Sequence, residues 1–128
     1  DRSESGELYL VDFKTGRSAA TAAAAAEHPQ LGVYQLAVRE GALEGEVLGP
    51  TTPGGAELVH LADRYASGMP KVRFQDPIGE GWTWVHDVVL DAARLAAGPR
   101  YPARRNGRCA TCTFRMMCPA QSADGGPQ

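Results

Sequence analysis

The chain has 128 residues, with 13 lysines and arginines against 15 aspartates and glutamates, a formal net charge of -2. That length suits one ordinary domain with a modest core, and the charge supplies no global basic field of the kind that marks a simple electrostatic binder of nucleic acid, though a DNA enzyme is not excluded. No run approaches the ~18 apolar residues of a membrane span, and three clustered cysteines are too few for a secreted disulfide scaffold, which favours a reducing cytoplasm.

The first residue is Asp1, in a polar run that reads as a turn, so an excised piece of a longer protein is expected. Glu7–Val11 (ELYLV) is the first strand candidate and runs into Asp12 and Phe13. The preceding SESG reads as a turn, which places a hairpin partner before Asp1. TGRS leaves the strand. TAAAAAE has high helix propensity but buries little, so it is either a short helix or loosely ordered. HPQLGVYQLAVREG predicts a helix, with Pro29 in its first turn, Gly41 at its stop, and Leu31, Tyr34 and Val38 at helical spacing. VLGPTTPGG reads as a loop, Glu57–Leu61 as a strand, YASGMP as a turn, and PKVRF as a continuation of the sheet. GWTWVHDVVLDAARLAAGP is the strongest helix, with an apolar stripe of Val85, Val88, Val89, Ala92 and Ala96 and a stop at Gly98 and Pro99. The last thirty or so residues read as polar loop around the cysteines, ending in a disordered tail over 121–128. The order of strand, helix, strand, helix predicts an α/β domain whose first elements lie outside the chain.

Two residues apart on a strand, Asp12 and Lys14 point the same way. A carboxylate there can hold Mg²⁺ or Mn²⁺, hard cations that take oxygen ligands, while the lysine orients water or steadies charge on a phosphoryl oxygen. The same Asp-x-Lys-x-Gly pattern is also ordinary surface turn material. One carboxylate fixes a metal weakly, so a second acid is expected across the hairpin. If the turn centres between Ser3 and Gly6, that acid lies before Asp1, and Asp1 itself sits too near the turn. Glu27 is a weaker candidate. Gln30 and Tyr34, four apart, share one helix face. They can serve a phosphate or the lysine, or be a first-turn polar residue and a core aromatic. His28, His60 and His86 read as structural residues, and His60 follows strand alternation poorly.

Cys109, Cys112 and Cys118 form a C-x₂-C-x₅-C pattern, whose soft thiolates select zinc or an iron–sulfur cluster. Both usually want a fourth ligand, which this chain lacks among its cysteines. A redox pair, a zinc site completed by histidine, and idle thiols remain open. Arg104, Arg105, Arg108 and Arg115 flank the group and can favour thiolate charge or meet a DNA backbone.

VDFKTG, then HPQLGVYQLA, then YPARRNGRCATCTFRMMCPA together resemble the PD-(D/E)XK nuclease domain of the RecB/AddB type, closest to the C-terminal iron–sulfur nuclease domain of AdnB-class helicase–nucleases. The resemblance runs from about Leu8 to Ala120 and implies a restriction-endonuclease-like mixed sheet flanked by helices over residues 1–120. It implies that Asp12 binds the catalytic metal, that Lys14 assists the attacking water, and that Gln30 and Tyr34 line the active site. It matches Cys109, Cys112 and Cys118 to the last three of four ligands of a [4Fe–4S] cluster, expected to be absent or replaced in this piece. The implied activity is metal-dependent cleavage of DNA in double-strand break repair. The implied partners are DNA, an ATP-driven helicase motor in the same parent chain, and a second helicase–nuclease subunit. No G-x₄-G-K-[S/T] phosphate loop is present. The first family aspartate, the helix before it and the first cysteine have no match, so activity is expected of the parent protein rather than of this piece. A Cas4-like stand-alone exonuclease and a non-catalytic DNA-binding or scaffold domain are the alternatives.

Overall fold

An apolar run, Leu8–Val11, rich in residues that suit a pleated surface and followed by Asp12, Phe13 and Lys14, makes Leu8–Lys14 a strand, β1, in the computed structural model. The structure describes residues 1–45, 51–100 and 102–122. After β1 come α1 (Ala22–Ala26), α2 (Pro29–Arg39), β2 (Pro53–Arg64), β3 (Pro70–Gln75) and α3 (Thr83–Ala97). Two 3-10 turns, Cys109–Thr111 and Arg115–Met117, precede α4 (Pro119–Ser122). The sheet order is β1-β2-β3, with β1 parallel to β2 and β2 antiparallel to β3. This is the expected mixed sheet with helices packed on it.

Packing puts the Asp12–Lys14 end of β1 under α2. On one sheet face Leu10, Ala56 and Leu58 meet Ala25 and Leu31 from α1 and α2, with Ala20 at the margin. Leu31 and Leu58 are fully buried, each contributing about 1.5–3 kcal/mol by removal from water. A second cluster joins Leu36, Ile78 and Val85, with Val33, Trp82 and Trp84 against it. Gly32 allows that approach. A Cβ there would lie 2.9 Å from the Trp84 ring and 3.0 Å from a Val85 methyl. The opposite sheet face carries Phe13 and Phe74, both more than 60 % exposed.

Several expectations change. The run TAAAAAE resolves as α1, capped by Thr21, whose hydroxyl accepts from the Ala24 N–H. The strand read as Glu57–Leu61 is longer, because β2 begins at Pro53 inside the expected loop. Proline is tolerated at a strand's first residue, and Gly55, at φ 114°, makes the irregularity by which β1 and β2 shift register between Leu8 and Leu10. The rest of the loop, 47–50, lies outside the described residues. Part of the hairpin partner read as preceding Asp1 lies within the chain. Arg2 bridges Leu8, and Asp1 and Tyr9 exchange backbone hydrogen bonds of 2.8 and 2.7 Å. Of the expected α3 stripe only Val85 is buried. Val88 and Val89 are 37 % and 38 % exposed, and Ala92 and Ala96 are exposed too, since only the start of the helix meets the second cluster. Gln121 and Ser122, read as tail, belong to α4. Residues 123–128 lie outside the described residues.

By its contacts the chain divides into two compact units, Asp1–Leu90 and a second beginning at Asp91. The sheet and both clusters belong to the first; the cysteines belong to the second.

Candidate active site

Alternation along β1 sends Asp12 and Lys14 to the face covered by α2, and their register partners on β2 are Leu58 and His60. Pro29 sets the first turn of α2, and Gln30 follows it directly. Gln30 and Tyr34 therefore descend from the helix toward the strand residues. The Lys14 ammonium lies 2.7 Å from Asp12 Oδ2 and donates to Gln30 Oε1 at 2.5 Å. Gln30 Nε2 donates to Asp12 Oδ1 at 3.3 Å and to Tyr34 Oη at 2.7 Å. One amide thus spends its acceptor and both donor hydrogens on the other three side chains. All four residues singled out from the sequence meet in one place.

This group is only partly open to solvent. The Asp12 and Lys14 side chains are 19 % and 30 % exposed, and Tyr34 is 42 % exposed. Asp12 Oδ2 is buried without a well-directed hydrogen bond among the described residues, and the Lys14 ammonium lies beside it as an ion pair. Tyr34 accepts from Gln30, so its own hydroxyl hydrogen is free to turn outward.

Two histidines read as structural border the site. His60 is 4 % exposed and lies between Lys14 and Lys71 in the sheet register. It follows strand alternation well, on the same face as Ala56 and Leu58, contrary to the expectation. Its Nε2 accepts from the Ala20 N–H at 3.4 Å, while its Nδ1 is buried without a partner. His28, the residue before Pro29, also buries an unpartnered Nδ1. Its pKa is held below the usual histidine value by burial first, then by Lys14 and His60, with Asp12 opposing. The signal for His28 was its place two residues before Gln30. For His60 it was parity with Leu58.

Other candidates stay apart. Asp1 is opposite Tyr9, not Asp12. Glu27 caps α1 in an exposed position, and its carboxylate makes no hydrogen bond or ion pair. His86 lies on α3 with its Nε2 2.7 Å from Arg39 Nη2. In the second unit Cys109, Cys112 and Cys118 are free thiols, Cys112 exposed and the others half-buried. The Asn106 N–H donates to Cys109 Sγ at 3.2 Å, beside a hollow of about 320 Å³ lined by Arg105, Asn106, Cys109, Ala110, Arg115 and Gln121. Among the described residues no three histidine, cysteine, aspartate or glutamate side chains converge as a metal site, and no helix is long and apolar enough to cross a membrane.

Comparison with known proteins adds one match. A family model described as the PD-(D/E)XK nuclease superfamily covers residues 1–119. No curated protein matches the chain.

Proposed function

Since the chain belongs to the PD-(D/E)XK nuclease superfamily, we propose that it is a DNA nuclease domain hydrolysing phosphodiester bonds with Mg²⁺ or Mn²⁺, and that Asp12, Lys14, Gln30 and Tyr34 are its working side chains. The observation that carries this reading is the single hydrogen-bonded group those four residues form.

The donor set fits a hard cation in part. Asp12 offers one carboxylate, with a buried oxygen that pairs with the Lys14 ammonium. Mg²⁺ is commonly held by one or two carboxylates, retaining water and taking phosphate oxygens for the rest. When bound, such a cation polarises the phosphoryl group and lowers the pKa of water beside it. The protein's own contribution is orientation and charge. Gln30 holds the Asp12 carboxylate and the Lys14 ammonium at fixed spacing. Lys14, as a cation, donates to a water or to the phosphoryl oxygen on which charge builds. The Tyr34 hydroxyl donates toward a neighbouring phosphate oxygen. Water oxygen then bonds to phosphorus and gives up a proton to solvent, the bond to the leaving sugar oxygen breaks, and that oxygen takes a proton from solvent.

At the finer level the order of VDFKTG, HPQLGVYQLA and the cysteine segment supports a nuclease of the RecB/AddB type. Closest in pattern is the AdnB class, working in double-strand break repair in the cytoplasm beside an ATP-driven helicase motor and a second helicase–nuclease subunit. The three thiols do not converge as they stand, so a [4Fe–4S] cluster is supported by their spacing alone and takes no part in the chemistry above. Asp12→Ala tests the central reading. Metal-dependent cleavage of end-labelled DNA should fall at least about a hundredfold, with the circular dichroism of the fold retained. Cleavage at the wild-type rate would overturn it.

A further inference from the structure

Two glutamines are buried where leucine would be expected. Gln35 on α2 is fully buried and Gln75 at the end of β3 is 2 % exposed. A buried primary amide is costly unless every polar atom is paired, and here all are. Gln75 Nε2 lies 3.1, 3.2 and 3.1 Å from the carbonyls of Ala25, Ala26 and His28. Its Oε1 accepts from Gln35 Nε2 at 2.9 Å. Gln35 Nε2 also donates to the Asp76 carbonyl, and its Oε1 accepts from the Ile78 N–H at 3.0 Å.

The three carbonyls gathered by Gln75 belong to one junction. Ala25 and Ala26 close α1, where a helix runs short of partners for its last carbonyls, though the Ala25 carbonyl also accepts the His28 N–H at 3.1 Å. His28 is the N-cap residue of α2 and provides no side-chain cap. Its carbonyl also accepts the Gly32 N–H, so the hydrogen bond from Gln75 fixes the start of α2 against the sheet. Gln30 stands two residues beyond. Room for the amide comes from Ala56, the small register partner of Gln75 on β2.

We propose that Gln75, backed by Gln35, is a positioning residue that sets where Gln30 sits above Asp12 and Lys14. It does so by holding the α1–α2 junction to β3. The proposal deepens the nuclease reading and rests on it for its kinetic consequence. Losing the bracket lets the first turn of α2 slide, and displacement of about 1 Å at a reacting centre is worth about a hundredfold in rate.

The experiment is a double-mutant cycle in this chain with Gln75→Met, which keeps volume and loses the amide, and Gln30→Ala. DNA cleavage should show kcat reduced about tenfold to a hundredfold in Gln75→Met, with KM within about twofold. The double variant should be no slower than Gln30→Ala alone. Independent, multiplying losses would overturn the proposal. A second readout needs no activity. The Gln30 side-chain amide resonances should shift in Gln75→Met while the Trp82 and Trp84 indole signals stay in place; unshifted Gln30 signals would overturn it. If wild-type chain does not cleave, the nuclease reading fails in this chain, and the resonances alone decide the positioning claim. If Gln75→Met does not fold, Gln75→Asn, with the same amide one methylene short, takes its place in both readouts with the same expected and overturning results.

Discussion

The Lys14 ammonium meets Asp12 and Gln30 together. In a half-buried ion pair the cost of desolvation offsets much of the Coulomb attraction, so the pair adds little net folding energy. His28 is different, because its half-buried ring resists a proton. Burial, then Lys14 and His60, hold its pKa below the ordinary value, with Asp12 pulling the other way. Below about pH 6.5 the unfolded chain therefore binds a proton that the folded chain refuses, and stability falls as pH drops through that range. Urea midpoints measured from about pH 7.5 to about pH 5 should decline in wild type and flatten in His28→Gln. Asp63 acts in a separate window. A hydrogen bond from Lys71 and the Ala19 N–H hold its pKa down. Its contribution is present above the ordinary carboxylate range and is lost only as pH falls below it.

At the level of elements, the approach of α2 to the start of α3 depends on a missing side chain at Gly32. Gly32→Val would place its first carbon against the Trp84 ring and Val85, and we expect a loss of about 2 kcal/mol, the overpacking cost net of a small gain in helix propensity. A urea titration at neutral pH reads it directly. This contact was not legible in the sequence, where Gly32 passed as an unremarked helical residue. β1 and α2 were legible because each carries its own period and end signals, Pro29 at one end and Gly41, at φ 79°, at the other. The start of β2 was not, since Pro53-Gly54-Gly55 is turn chemistry that a parallel neighbour pulled into the sheet. The burial of Gln35 and Gln75 was hidden for a similar reason. Only the fold brings the carbonyls of Ala25, Ala26 and His28 to one amide, and local pattern reads such residues as solvated. The group of Asp12, Lys14, Gln30 and Tyr34 was readable because two separate periods, two on a strand and four on a helix, each put a pair on one side.

Across the whole molecule a net charge of -2 must meet a polyanion, so approach to DNA depends on local cations rather than on a long-range field. Chelation by EDTA should therefore abolish cleavage and weaken DNA retention in a gel-shift assay, and restoring Mg²⁺ or Mn²⁺ should recover both. Retention unchanged by EDTA would assign binding to the arginines alone. Those arginines and the three cysteines lie beyond Asp91, in the unit that carries none of the four proposed working residues.

Leu10, Asp12 and Lys14 occupy one side of β1, the first against the apolar floor and the others beside Gln30. Inserting or deleting one residue ahead of them would swing all three to the far side of the pleat together. Such a change would undo the packing of Leu10 and the proposed working pair in one stroke. Natural variation in this strand should therefore come as substitutions, not as single-residue gains or losses.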